Sequence, residues 1–318
     1  MRKALVVGID YYQNVRSLHG CVNDAHSIKM VLERNGDGTK NFEVKCLTAH
    51  TPSENITRRV LKEQIIELFK DNNEEVALFY FSGHGHLEDT GGYLVTSDSE
   101  NGDDGLSMNE ILTIANNSRS VNKIIILDCC HSGQAGNSTE SSGCAILSEG
   151  TTILTASGSD QYSIEENGSG IFTTLFVDAM NGAAANLVGD ITPGSVYAHV
   201  DQSLGPWDQR PVFKTNIKRF ISLRKVKPPI TLDELRQIIE LFSTMDQEFQ
   251  LDPEYEPKSN NPSPEKTKKF AILQKFNRIN LVVPTGAEHM YYAAMDSKSC
   301  KLTDLGKHYW RLVKKGRL

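Results

Sequence analysis

The chain has 318 residues, 39% of them hydrophobic and 23% charged, with a formal net charge of −6. That length exceeds one small domain and predicts a large domain with a small one, or two of medium size. The acidic balance argues against a protein that grips nucleic acid along its whole length, and no stretch approaches the roughly 18 consecutive apolar residues of a membrane span.

The first apolar run, residues 4–9, predicts a short buried strand. It is cut off at Gly8-Ile9-Asp10, too soon for the h-region of a signal peptide, which needs about 7–15 apolar residues. The expected location is therefore the cytoplasm, with no membrane partner. The six cysteines, at 21, 46, 129, 130, 144 and 300, do not resemble a disulfide framework and are expected to be reduced. Helical spacing follows over 22–34, strand alternation over 42–48, and a helix over 56–70 with Ile56, Val60, Leu61, Ile65, Leu68 and Phe69 on one face. Residues 75–81 form a second buried strand, 107–117 a short helix, 123–128 a third buried strand, and 151–156 another strand before a helix at 170–181. Strands of nearly solid apolar composition alternating with helices predict an α/β fold. The expected architecture is an open three-layer sandwich around a mainly parallel sheet covered on both faces. Such sheets bind ligands at the carboxyl ends of their strands.

Lys225-Val226-Lys227-Pro228-Pro229 predicts a linker, because each proline disfavours helix in the residue before it. The domains read as 1–224, a linker at 225–230, and a small, mostly helical domain at 231–318. In the latter, helices are expected at 231–246, 265–279, 286–294 and 303–314, with a strand at 280–284. Four prolines and many polar residues make 251–264 a flexible loop. The run from Leu302 to Leu312 looks like the third helix of a winged helix-turn-helix, with Lys307, His308, Arg311, Lys314, Lys315 and Arg317 near the end. Contact with DNA phosphates and a solvated helix face are both open readings of those cations.

Two motifs follow buried strands: Ser82-Gly83-His84-Gly85-His86, and Asp128-Cys129-Cys130-His131-Ser132-Gly133. His84 precedes Cys130 by 46 residues, and His before Cys at roughly 50 residues is the caspase arrangement. A thiol needs a nearby imidazole to become an effective nucleophile near neutral pH. The tetrahedral oxyanion of acyl transfer needs donors in place beforehand, and the backbone N–H groups of Gly85 and Cys130 suit that role. Neighbouring side chains at a strand end point to opposite sides, so with Cys130 facing a cleft, Cys129 packs as a small buried hydrophobe. The soft side chains here could suit zinc, yet adjacent cysteines do not converge on one ion and no CxxC spacing exists, so no metal is expected.

These motifs, with Val7-Gly8-Ile9-Asp10-Tyr11-Tyr12, Gly20-Cys21-Val22-Asn23-Asp24-Ala25, Gly158-Ser159-Asp160-Gln161-Tyr162-Ser163 and Gly170-Ile171-Phe172-Thr173, make residues 1–224 similar to the caspase-like domain of the metacaspase and paracaspase branch. The resemblance implies Cys130 as nucleophile and His84 as general base. It also implies an acidic pocket for the residue before the scissile bond, at Asp24, Ser82, Asp128 and Asp160. A pocket with these three carboxylates would accept Arg or Lys and reject Asp. The expected substrates are thus proteins and peptides with Arg or Lys before the scissile bond. The family's calcium-binding aspartates are missing from the matching stretch Leu106-Ser107-Met108-Asn109-Glu110, so no cofactor, calcium included, is expected.

The resemblance further implies a role in stress, defence or cell death. Residues 231–318 are then expected to regulate the peptidase in answer to a small molecule, a partner protein or nucleic acid. A silent scaffold that binds DNA or a partner through the winged helix is the alternative, against which the intact His84 and Cys130 pair weighs. The loop 134–150 holds no Arg or Lys, which excludes self-cleavage after a basic residue there.

Overall fold

The computed structural model describes residues 1–70, 74–130, 132–135, 146–158, 165–166, 168–206 and 209–318. They divide into two units, Met1–Lys227 and Pro228–Leu318.

In the first unit the chain opens with β1 (Arg2–Ile9), α1 (Cys21–Glu33), β2 (Glu43–Ala49), α2 (Arg58–Phe69) and β3 (Val76–Ser82). A hairpin, β4 (Gly85–Glu88) and β5 (Gly91–Leu94), and the two-residue β6 (Leu106–Ser107) follow. Then come α3 (Met108–Asn116), β7 (Asn122–Asp128), β8 (Thr151–Thr155), α4 (Ile171–Asp178), α5 (Pro193–Leu204) and an edge strand, Val212–Asn216. The main sheet runs edge strand, β8, β7, β3, β1, β2. Its neighbours are all parallel except the edge strand, which is antiparallel to β8.

Strand alternation sorts the apolar runs onto two faces. Leu5, Val7, Phe79, Phe81, Ile125 and Leu127 pack beneath α2 and α3, in one core with Leu61, Ile65 and Ile111. Val6, Leu78, Tyr80, Ile124 and Ile126 face the other way, with Ile28 of α1, Phe172 and Phe176 of α4, and Val196 and Val200 of α5. Both faces are covered, and for that reason β3 and β7 are solidly apolar rather than alternating. Each face buries several large side chains, at about 1.5–3 kcal/mol per side chain. The α/β sandwich expected from the sequence is present.

The sequence reading missed the β4–β5 hairpin, whose glycines weaken any strand pattern. It also missed α5 and the edge strand. Helix α5 is started by Thr192, whose hydroxyl accepts from the Ser195 N–H at 3.1 Å, with Pro193 in the first turn.

In the second unit, short helices at Leu232–Arg236 and Ile238–Leu241 replace the single helix expected over 231–246. The chain turns extended at Phe242, and the Gln247 side chain captures the Ser243 N–H. Helix Pro264–Arg278 and a three-stranded antiparallel sheet follow, in the order Glu248–Gln250, Ser299–Leu302, Val282–Thr285. Two short helical segments, Met290–Met295 and Asp304–Lys314, complete it.

Three expectations change here. The stretch 251–264 is pinned rather than flexible. Leu251 is buried and donates its N–H to the Lys298 carbonyl, the Ser263 N–H donates to the Glu254 carbonyl, and Lys266 bridges Asp252 and Glu254 at 2.6 and 2.8 Å. Helix Asp304–Lys314 follows the central strand of the small sheet instead of preceding a strand pair, so it does not hold the third-helix place in the chain. The expected linker also begins later: Lys225 pairs with Asp190, and its carbonyl accepts from the Gly36 N–H. Among the described residues, no helix is long and apolar enough to cross a membrane.

Candidate active site

Parallel strands β3 and β7 are hydrogen-bonded neighbours, with Ser82 opposite Asp128. Two residues beyond each strand end, His84 and Cys130 leave the same edge of the sheet side by side. Both line a cavity of about 320 Å³, with Arg16, Leu18, His19, Cys21, Asp24, Ser82, Asp128 and Gly170 among its other walls.

His84 is held from three directions. Its backbone N–H donates to the Tyr12 hydroxyl at 2.8 Å. Its ring lies 4.8 Å, centroid to centroid, from that of Tyr12. Its Nε2 is 2.7 Å from the backbone carbonyl of Arg16. A carbonyl oxygen only accepts, so Nε2 carries the hydrogen and Nδ1 of the neutral ring keeps its lone pair. That is the tautomer a general base needs. Tyr12 is buried, and burial pushes its phenol well above the usual range, so it stays a neutral hydroxyl.

The adjacent cysteines diverge. Cys129 is buried in the core beneath α2 and α3, and burial raises its thiol well above the ordinary value. Cys130 is half-buried at the cavity wall. A Cβ on Gly85 would stand 2.1 Å from the Cys130 carbonyl oxygen and 3.2 Å from the Cys129 sulfur. Only glycine lets the histidine loop lie this close to the cysteine loop. Downstream, the Lys214 ammonium on the edge strand donates to the carbonyls of Gly133 and Ala135, at 2.8 and 2.7 Å, and so tethers the segment after Cys130. His131 lies outside the described residues.

The acidic side of the cavity follows from strand parity. Ser82 and Asp128 continue the Tyr80 and Ile126 rows, which face α1 and α4, and α1 brings Asp24 to the same place. Asp24, Ser82 and Asp128 are 1%, 2% and 4% exposed, so two carboxyl groups stand together out of bulk water. Among the described residues, Asp24 receives hydrogen bonds from neutral groups: the Ser82 hydroxyl at 3.1 Å, the Gly170 N–H at 3.1 and 3.2 Å, and the Ser169 hydroxyl. Burial, and then repulsion from Asp128, raise the Asp24 carboxyl to about 7. Asp128 accepts from the Thr173 hydroxyl at 2.6 Å, and the Thr173 oxygen in turn accepts a hydrogen bond from the Tyr80 hydroxyl at 2.5 Å. A Cβ on Gly170 would fall 2.4 Å from a carboxylate oxygen of Asp128, so the floor of the cavity needs a glycine there. Asp160, the fourth expected wall residue, lies outside the described residues.

Tyr12, Arg16, Gly170 and Thr173 received no role in the sequence reading. Three of them stand inside quoted motifs. Arg16 contributes a backbone carbonyl, which leaves no trace in a side-chain pattern. His86 is bound to Glu88 at 2.7 Å and packs on Gly102. Of the nearby aspartates, Asp98 accepts from the Arg58 N–H and the Thr96 hydroxyl, and Asp104 closes the turn at Asn101. Among the described residues, no group of three or more His, Cys, Asp or Glu side chains is placed to hold a metal ion.

One prediction isolates the histidine support. Tyr12→Phe removes the acceptor for the His84 N–H but keeps the ring. It should lower kcat roughly threefold to tenfold and leave KM unchanged; steady-state kinetics on a peptide substrate checks this, and an effect confined to KM would be against it.

Residues 1–249 match the family described as the Caspase domain, Peptidase_C14. Metacaspase-1 of Saccharomyces cerevisiae (strain YJM789) is 31% identical over 153 residues, covering 42% of this chain and 33% of that protein. Metacaspase-1 of Plasmodium falciparum is 29% identical over 150 residues, covering 42% and 24%. The chain thus spans a third or less of the length of these two curated relatives. Among solved structures, caspase-1 of Spodoptera frugiperda superposes with a TM-score of 0.53 at 14% identity, covering 71% of this chain and 91% of that one. A protein of Geobacter sulfurreducens gives 0.52 at 18%, covering 72% and 98%. At these identities the structures speak for the fold alone.

Proposed function

Since the chain belongs to the caspase-domain family of cysteine peptidases, we propose that it is an endopeptidase that cleaves after Arg or Lys, with Cys130 as nucleophile and His84 as general base. The observation that carries this reading is the single cavity with a half-buried thiol and an imidazole on one wall and two buried carboxyl groups on another. His84 Nδ1 takes the thiol proton, and the sulfur attacks the scissile carbonyl carbon. The N–H groups of Gly85 and Cys130 receive the developing oxyanion. The C–N bond then breaks, the His84 imidazolium protonates the departing amine, and water hydrolyses the thioester by the same route in reverse. The cation of the substrate enters between Asp24 and Asp128, where a guanidinium can meet a carboxylate with two hydrogen bonds. An Asp side chain would add a third carboxylate to a desolvated pair.

Residues 228–318 are read as a regulatory unit answering a small molecule, a partner protein or nucleic acid, in a stress, defence or cell-death response. A reducing compartment such as the cytoplasm suits a thiol nucleophile. The test is a panel of fluorogenic peptides ending in Arg, Lys, Asp or Leu, run with and without calcium on the whole chain and on one lacking 228–318. Hydrolysis after Arg and Lys alone, equal in both calcium lanes and changed by the deletion, is expected. Hydrolysis after Asp would overturn the pocket assignment, a calcium requirement would overturn the cofactor-free reading, and unchanged kinetics after deletion would remove the regulatory role.

A further inference from the structure

Opposite the catalytic edge, where β7 and β8 begin, a second cavity of about 300 Å³ opens among Arg119, Lys123, Glu149, Gly150, Lys218 and Arg219. Four cationic side chains line it against one carboxylate, in a chain whose net charge is −6. The single carboxylate is already engaged, since Glu149 holds the Lys218 ammonium at 2.7 Å. Lys123 is the central group. It opens the β7 pairing with Thr151 and is only 4% exposed. Its ammonium donates to the backbone carbonyl of Glu149 at 2.5 Å. An ammonium has three N–H donors, so this bond leaves two without an acceptor among the described residues. A buried cation is costly to keep charged, and burial lowers the Lys123 pKa, with the Glu149 carboxylate opposing that shift in part.

A purely structural strut would explain the single bond to Glu149. It would not explain a cavity at the ammonium, nor the arginine and lysine side chains gathered around it. We propose that this cavity is a binding site for the phosphate group of a small molecule, with Lys123 at its base and Arg219 at its rim. A dianionic phosphate supplies acceptors for the remaining Lys123 donors and charge for Arg219, whose guanidinium matches two of its oxygens. The basic rim would draw such anions in from solution and make binding weaken with salt.

The site is at the far end of β7 from Cys130, so binding can be read without reference to proteolysis. Orthophosphate and adenosine monophosphate are titrated into the whole chain by calorimetry at constant ionic strength, with chloride as the balancing anion. Lys123→Met and Arg219→Ala are run alongside. Saturable binding of either probe to the wild type, weakened about tenfold or more in both variants, is expected. Tighter binding of the nucleotide would assign a phosphomonoester, and equal or tighter orthophosphate an inorganic anion. Absence of saturable binding, or equal affinity in wild type and variants, overturns the proposal. Should Lys123→Met fail to fold, the exposed Arg219→Ala still decides between these results.

Discussion

Cys130→Ala is expected to abolish peptide hydrolysis, lowering kcat/KM by at least ~10³-fold, while Cys129→Ala keeps the chemistry. The two side chains are neighbours in sequence but occupy different media. Cys129 has its sulfur against Gly85 within a dry core, where a thiolate is strongly disfavoured. Cys130 stands at the wall of the cavity that His84 also lines. Alkylation by iodoacetamide followed by mass spectrometry should therefore label Cys130 in the native protein far faster than Cys129. Labelling should slow in His84→Ala, because the base that draws the thiol proton is gone, and kcat should fall by about 10²–10⁴-fold in that variant. Full activity in Cys130→Ala, or preferential labelling of Cys129, would refute the assignment. Cys129→Ala serves as the opposite control: its cost should fall on stability, by a cavity of one sulfur atom in the core, and not on the chemical step.

Much of this arrangement was legible before any coordinates. The apolar runs at 75–81 and 123–128 announced buried parallel strands, and chemistry at their carboxyl ends follows from how such sheets are built. Strand parity separated the two cysteines and put Cys129 on the Leu127 face, while Asp24, Ser82 and Asp128 were reached through the family resemblance alone. What could not be read was contact between distant backbone segments. The Arg16 carbonyl reaches His84 across 68 residues, and the Gly170 N–H reaches Asp24 across 146. Backbone groups are the same in every residue, so no composition or spacing marks them. In the second unit, local signals misled for a related reason. The prolines of 251–264 announced an irregular path and were right about that, but ion pairs from Lys266 hold that path in place, and the helical pattern over 231–246 continues past the point where Phe242 turns extended.

Asp24→Asn should lose cleavage after Arg and Lys by about 10²-fold or more and, at the same time, make the unliganded protein more stable above pH 7. Both effects follow from one raised carboxyl. Asp24 lies near 7 in the folded protein and near 3.8 when exposed. Between those values the folded state binds the proton more tightly than the unfolded state, so stability falls as pH rises through this window. A shift of about 3 units sets the penalty above pH 7 at no more than about 4 kcal/mol. Asparagine cannot ionise and escapes it. Thermal melts should show the variant several degrees above the wild type at pH 8 and no advantage at pH 4, at about 2–4 °C per kcal/mol for a unit of this size. The substrate supplies what the empty pocket lacks. In the proposed pocket a substrate guanidinium between Asp24 and Asp128 would favour the ionised pair, so binding would expel the proton. KM for Arg peptides should rise as pH drops below about 7, with kcat the less affected parameter, and this limb should vanish from KM in Asp24→Asn. A wild-type KM that is flat between pH 6 and 8, or a variant less stable than wild type at pH 8, would show that Asp24 is already ionised and balanced in the empty enzyme. If both signatures appear, the carboxyl that grips the substrate is also one that the fold alone would be better without. Binding energy stored in this way would be released only by a cationic side chain, which would make the same group the source of the proposed affinity for Arg and Lys and of the rejection of Asp.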